Sequence, residues 1–196
     1  MAREDTRVFI LYAVLAGLLV GLLTRGSPAR LGELRISMAP LIVLGMAVQL
    51  LLFSSPLGSV LGEAAPVAYV ISDLAVLTAV AANVAIPGLV IVLAGGASNL
   101  LAIVANGGFM PASPGALAVV GRLPQAAYSN SVSSGAANLA PLIDLFAMPP
   151  WVPLANVFSV GDILIGVGVA VAVVAAMHGK GPSAIRPMMD GRRAEP

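Results

Sequence analysis

The sequence contains no cysteine and a single histidine, His178. The absence of cysteine excludes disulfides, thiolate catalysis and cysteine-ligated zinc or iron–sulfur sites. One histidine cannot by itself build a histidine-based metal site. We therefore expect neither a metal nor another cofactor.

Charge is also scarce. Charged residues make up 10% of the 196 positions, whereas hydrophobic residues make up 59%. Soluble proteins carry roughly 25% charged residues, so a folded surface this poor in charge has to be covered by lipid rather than by water. The net charge is +1, and the basic residues are too sparse for a nucleic-acid surface. We predict an integral membrane protein in contact with the lipid bilayer and with no nucleic-acid partner.

Five apolar stretches can cross a bilayer, for which about 20 residues are needed. The apolar run over residues 64–105 is about twice as long as one crossing requires, so it must form a helical hairpin. Pro87 marks the break between its two helices, because proline disfavours helix at the preceding residue. The predicted spans are 8–23, 37–53, 65–83, 87–105 and 157–177. The predicted fold class is all-α: one polytopic membrane helix bundle over residues 1–179, followed by a flexible basic tail over 180–196.

Basic residues predict the orientation of these spans, because they favour the cytoplasmic side of short loops. Three arginines lie in residues 25–36 and four basic residues in 180–196, whereas residues 54–65 have none and residues 106–156 have only Arg122. Five spans with the N-terminus outside place both basic segments in the cytoplasm. The first apolar run ends without a small-residue cleavage site, so no removable signal peptide is expected. We predict a multi-pass protein of the plasma (inner) membrane with a cytoplasmic C-terminus.

The segment between the fourth and fifth spans, residues 106–156, contains seven prolines but is too apolar for a disordered loop. Long loops of this kind are usually functional or disordered. We expect short helices that lie in the outer interface, with Trp151 as an interfacial anchor.

An acid within a span is costly and is a candidate functional group by default. Asp73 lies in the middle of the third predicted span. Two interpretations are open: a carboxyl hydrogen-bonded to a neighbouring helix, or the proton- or ion-handling group of a small carrier or channel subunit.

Two further acids, Asp144 and Asp162, are both placed at the outer membrane face by the predicted topology. Ser159 and Asp162 form the S-x-x-D pattern of a helix cap, which explains Asp162 without any chemistry. Alternatively, Asp144 and Asp162 share one proton and act as acid and base towards a water molecule. Asn99 lies in the fourth span behind a run of small residues, and an amide there is expected to bond to another helix.

Two strings resemble an uncharacterised family of small bacterial multi-pass membrane proteins, a domain of unknown function. They are Asn99-Leu-Leu-Ala-Ile-Val-Ala-Asn-Gly-Gly-Phe-Met-Pro111 and Phe158-Ser-Val-Gly-Asp-Ile-Leu-Ile-Gly166, with Asp144 between them. Their Asn-Gly-Gly-x-Met-Pro and Ser-x-Gly-Asp motifs are the most specific parts of the resemblance, which implies a family and no activity.

A fainter similarity connects the chain with the lipoprotein signal peptidases, which are four-span aspartyl enzymes. The strings 95–99 (Gly-Gly-Ala-Ser-Asn), 142–146 (Leu-Ile-Asp-Leu-Phe) and 159–162 (Ser-Val-Gly-Asp) are similar to motifs of that family. The resemblance implies a catalytic dyad of Asp144 and Asp162 and supporting roles for Asn99 and Ser159. Ala102-Ile103 stands where that family has an Asp-Arg pair.

We therefore expect an integral membrane protein of unknown biochemical activity with an outward-facing polar site made of Asp144, Asp162, Ser159 and Asn99. One alternative is an intramembrane aspartyl hydrolase similar to lipoprotein signal peptidase, and a second is a small carrier or channel subunit. The expected partners are lipids, other membrane proteins or a lipidated substrate.

Overall fold

The structure is a computed structural model that describes residues 7–54, 57–121, 131–133, 136–153 and 155–182. Arg122 and residues 183–196 of the expected tail lie outside these ranges. The described chain is mostly helical. Its α-helices are α1 (Arg7–Leu23), α2 (Ala39–Ser54), α3 (Leu57–Leu61), α4 (Ala64–Ala81), α5 (Leu89–Ala105), α6 (Pro114–Val119) and α7 (Val160–Met177), and two 3-10 helices cover Pro28–Glu33 and Ala140–Leu142.

Among the described residues between α5 and α7, four short strands occur where helices were expected. Strand β1 (Met110–Ala112) pairs in parallel with β2 (Ser131–Ser133), and β3 (Phe146–Ala147) pairs antiparallel with β4 (Val157–Phe158). The all-α prediction is therefore wrong for this segment, in which α6 and one 3-10 helix are the described helical parts. Proline removes a helix donor and disfavours helix at the residue before it, so this proline-rich chain favours extended backbone.

Helices α4 and α7 have 18 residues each and are apolar enough to cross a membrane by length and composition. Helices α1, α2 and α5 are also apolar but have 17, 16 and 17 residues. These five helices coincide with the five predicted spans to within three residues at each end. The last begins at Val160 and not at Val157, because residues 157–158 form β4.

The predicted break in the long apolar run is confirmed by the turn that joins α4 to α5 over residues 82–88. Gly88 precedes α5 with φ of 93°, a conformation that glycine adopts without strain. The Asn83 side chain donates to Ala79 O of its own helix at 2.7 Å. It also accepts from Ser37 N and donates to Ser37 O, both at 2.8 Å. Asn83 therefore holds the end of α4 and also the chain that leads into α2.

The five long helices form a row in the order α2, α4, α5, α7, α1. Neighbours in the row run antiparallel, with the exception of α1 and α7, which run parallel. Tyr12 of α1 donates to Pro153 O at 2.8 Å near the start of α7, and Ser27 N donates to Met177 O at 2.8 Å beyond the opposite end. We call the end that holds residues 106–159 the loop end. The opposite end, with residues 24–37, 82–88 and 178–182, is the basic end.

Glycines allow the closest helix contact, that of α5 with α7. A Cβ on Gly95 would lie 2.5 Å from Gly161 O, and a Cβ on Gly168 would lie 2.7 Å from Gly88 O. Small residues at such positions let two helix backbones approach each other. Gly17 of α1 meets the Ala170 backbone of α7 in the same way.

The surface of the helices is unusually apolar. Leu19, Val43, Ile71 and Leu101, on four different helices, are each more than half exposed. Several buried positions are instead polar or small, with Ser72, Asn83, Ser159 and Asp162 among them. Soluble proteins rarely expose large contiguous apolar patches. The bundle thus exposes many large apolar side chains, and it buries several polar and small ones beside large apolar ones such as Leu52 and Ile103.

Candidate functional site

The N-terminus of α7 lies inside the bundle rather than at its rim. Ser159, which precedes α7, contacts Asn99 of α5 and is 0% exposed. Asn99 comes six residues before Ala105, the last residue of α5, which corresponds to about 9 Å along the helix. An α-helix begins with four backbone N–H groups that have no partner within the helix, and the amides of Ser159 and Asp162 at this end are buried.

Ser159 and Asp162 supply partners for these amides and form the predicted capping box. Ser159 Oγ accepts from Asp162 N at 3.0 Å, and Asp162 Oδ2 accepts from Ser159 N at 2.9 Å. The carboxylate also lies next to the positive end of the helix macrodipole, which favours negative charge. Capping is thus confirmed as one function of this pair.

Asn99 connects the cap to α5, as expected for an amide within a span. Its Nδ2 donates to Asp162 Oδ1 at 2.8 Å, and its Oδ1 accepts from Ser159 Oγ at 2.8 Å. Asn99, Ser159 and Asp162 thereby close a ring of hydrogen bonds between two helices. In the described part of the chain, no buried side-chain nitrogen or oxygen lacks a hydrogen-bond partner.

Asp73 brings α2 and α4 into the same region. Its carboxylate accepts a hydrogen bond from the Gln49 side chain of α2 and is close enough to Asp162 for the two carboxylates to interact electrostatically. We call Gln49, Asp73, Asn99, Ser159 and Asp162 the polar layer. Four helices contribute to it.

Gln49 was not singled out from the sequence. The available signal was its position as the one amide side chain within the apolar helix α2. A polar side chain in a predicted span is expected to find a partner on another helix, but the sequence does not say which helix that is.

Asp144 is buried, with 4% exposure, and lies beside β1. Its N–H donates to Pro111 O at 3.0 Å, and its carbonyl accepts from Ser113 N at 2.9 Å. The β3–β4 pairing of Phe146 with Phe158 brings its backbone towards the start of α7. The Asp162 carboxylate bonds to Ser159 and Asn99, and it also interacts electrostatically with Asp73. A dyad of Asp144 and Asp162 stays a prediction.

The polar layer offers carboxylate, amide and hydroxyl groups and contains no lysine, arginine or histidine. Between Ile36 and Gly179 the sequence has one arginine, Arg122, and no lysine. In the described ranges, no group of three or more histidine, cysteine or acidic residues is arranged to hold a metal ion. Two carboxylates without a basic partner repel each other, so a proton or a small cation between them would be stabilised.

Ser159→Ala should lower the free energy of unfolding by about 1–2 kcal/mol, because the buried Asp162 N–H and Asn99 Oδ1 each lose a partner. Thermal unfolding in detergent micelles measures this loss. Ser113→Ala is the matched control, since Ser113 precedes α6 but makes no side-chain cap bond. Equal destabilisation by the two variants would contradict the assigned role of Ser159.

Comparison with known proteins identifies a family but no activity. The model of a family of unknown function, DUF5317, matches residues 33–174, which is more than half of the chain and includes the whole polar layer. No curated protein and no solved structure matches the chain. These comparisons therefore give no support to the resemblance to lipoprotein signal peptidases. The chain belongs to the family of unknown function DUF5317.

Proposed function

We propose that the protein crosses the plasma membrane five times, through α1, α2, α4, α5 and α7. The outward-facing leucine, valine and isoleucine side chains support this proposal because they match a lipid surrounding. The helix directions also support it, since successive long helices along the chain point alternately towards the loop end and the basic end.

The proposed orientation places the basic end in the cytoplasm and the N-terminus outside. Arg25, Arg30, Arg35 and Lys180 belong to segments at the basic end, and basic residues in short loops favour the cytoplasmic side. The polar layer then lies nearer the outer face, because Asn99 is about 9 Å along α5 from the loop end.

Cysteine labelling tests this topology cleanly, because the protein has no cysteine of its own. Ala140→Cys and Ser27→Cys introduce thiols at exposed positions of the loop end and the basic end. A membrane-impermeant maleimide should label the first in intact cells and the second only after permeabilisation. If both cysteines were labelled from the same side of the membrane, the proposed number of crossings would be wrong. If only the Ser27→Cys thiol were labelled in intact cells, the proposed orientation would be wrong.

We further propose that the polar layer binds a proton or a small monovalent cation, as expected for a small carrier or channel subunit. The observation that carries this proposal is the position of Asp73. It lies midway along α4, contacts Gln49 of α2 and interacts electrostatically with Asp162. Ionisable residues at this depth that contact other helices are typical of ion and proton pathways.

The composition of the layer favours such a ligand over a larger substrate. Both carboxylates lie among amide and hydroxyl groups, and no lysine or arginine occurs in the helices that form the layer. A proton or a cation bound between Asp73 and Asp162 would relieve the repulsion between the two carboxylates, and release of that ligand would restore the repulsion. The site would therefore have a different electrostatic energy with and without the ligand, as coupled binding and release require.

Asp73→Asn keeps the size of the side chain but removes its charge, so it should reduce ion flux to the background of empty vesicles. Purified protein in liposomes is assayed with a pH-sensitive dye under imposed proton, Na⁺ and K⁺ gradients. Asp73→Glu should retain part of the flux. Thr78→Ala is the control, because Thr78 lies on the same helix and bonds only to Leu74 O of its own backbone. Unchanged flux in Asp73→Asn would refute the proposal.

An intramembrane aspartyl hydrolase is the second candidate. It is favoured by the burial of Asp144 and by the β3–β4 pairing, which brings the Asp144 backbone towards the start of α7. Asp144 and Asp162 would then share a proton and activate water against an amide bond of a lipidated substrate.

Asp144→Asn tests the hydrolase candidate, because the variant preserves both backbone hydrogen bonds of Asp144 and removes its acid. Cleavage of a purified diacylated lipoprotein precursor should disappear in this variant if the dyad is catalytic. Ser113→Ala, a change in the adjoining segment, should cleave as the unmodified protein does. No cleavage by the unmodified protein would exclude this candidate.

A further inference from the structure

A cavity of about 630 Å³ lies between α1 and the turn that precedes α5, with α7 as its floor. Ala16, Val20, Pro87, Ala170 and Val171 are among its lining residues. We call this cavity the α1–α7 groove. It is separate from the polar layer, because it lies towards the basic end and shares no lining residue with that layer.

The groove is apolar along most of its length and polar at one end. From Ala170 to His178 it follows two turns of α7, which corresponds to about 12 Å. Thr24, His178 and Lys180 line the end that faces the basic end of the bundle. An apolar groove with polar residues at one end matches a molecule that has a hydrocarbon chain and a charged head.

The mouth is cationic, and Lys180 supplies its available charge. Both ring nitrogens of His178 already face carbonyl oxygens, Nδ1 that of Val174 at 2.9 Å and Nε2 that of Thr24 at 3.1 Å. Lys180 is exposed. A small adjoining cavity is lined by Arg30, Glu33 and Lys180, so the neighbourhood holds two cations and one acid.

We propose that the α1–α7 groove binds one anionic phospholipid from the leaflet at the basic end, with an acyl chain against α1 and α7 and its phosphate at Lys180. The inference rests on the membrane embedding proposed above. Two features carry it: the volume of the groove, which lies in the range of ligand sites, and the charge complementarity between a basic mouth and an anionic headgroup. A zwitterionic lipid would be stabilised by contact of its acyl chain with the apolar lining, but not by attraction of its headgroup to Lys180.

Native mass spectrometry of the full chain in detergent micelles tests this proposal, with dioleoylphosphatidylglycerol and dioleoylphosphatidylcholine as the probes. The unmodified protein should retain one phosphatidylglycerol in preference to phosphatidylcholine. Lys180→Ala should reduce phosphatidylglycerol retention about fivefold, the effect of one basic residue near a membrane surface. Arg35→Ala is its control, because Arg35 is exposed at the same end but does not line the groove.

A second variant tests the acyl-chain part independently. Ala16→Phe should fill the groove and reduce retention of both lipids, whereas Leu15→Phe, a change at an exposed position of the same helix outside the groove, should not. A thermal unfolding curve confirms that each variant is folded. Three outcomes would each overturn the proposal. The unmodified protein could retain the two lipids equally, or both groove variants could retain as much lipid as the unmodified protein. The groove could also hold a second copy of the chain, seen as a lipid-free dimer that Ala16→Phe disrupts.

Carbonate extraction of native membranes separates this result from a failure of the embedding itself. Release of the chain by carbonate would refute the membrane embedding and the lipid site together. A chain that stays in the membrane but shows no lipid preference would refute the lipid site alone.

Discussion

The start of α7 inside the bundle is the constraint on which the rest of the site depends. The unpaired amides at the start of a helix must find partners, and the amides of Ser159 and Asp162 are buried here. Ser159 and Asp162 satisfy them from within the chain, and Asn99 closes the network from α5. Without these groups, the glycine-mediated contact between α5 and α7 would bury unsatisfied backbone donors, which costs free energy comparable to lost hydrogen bonds.

The capping arrangement also determines the charge of the region. Asp162 brings a carboxylate into the interior, and Asp73 approaches it from α4 with Gln49 as its hydrogen-bond partner. A purely structural cap needs one acid and would gain nothing from a second nearby. Asp73 caps no helix end. Its hydrogen bond to Gln49 of α2 agrees with the structural interpretation of this acid, whereas its electrostatic interaction with a second carboxylate is the feature on which the proposed proton or cation site rests.

The two proposed sites use different parts of the chain. The polar layer lies wholly within residues 33–174, which the family model matches, whereas the α1–α7 groove also needs α1 and Lys180, which lie outside them. The two sites are also chemically distinct, since one is acidic and internal and the other has a basic mouth and an apolar wall. A change at one is expected to leave the other intact, because effects at distant sites without shared partners are usually additive.

Composition and local pattern were sufficient for the helices, because long apolar runs, the break at Pro87 and the Ser159–Asp162 cap depend on residues close together in sequence. The same local rules failed between α5 and α7, where strand pairing joins residues that are distant in sequence, such as Phe146 and Phe158. That Asp73 of α4 interacts electrostatically with Asp162 of α7 was likewise decided by tertiary structure alone. The pairing of Asp144 with Asp162, which motif spacing indicated, stays a prediction. No periodicity in a single sequence records which helices become neighbours.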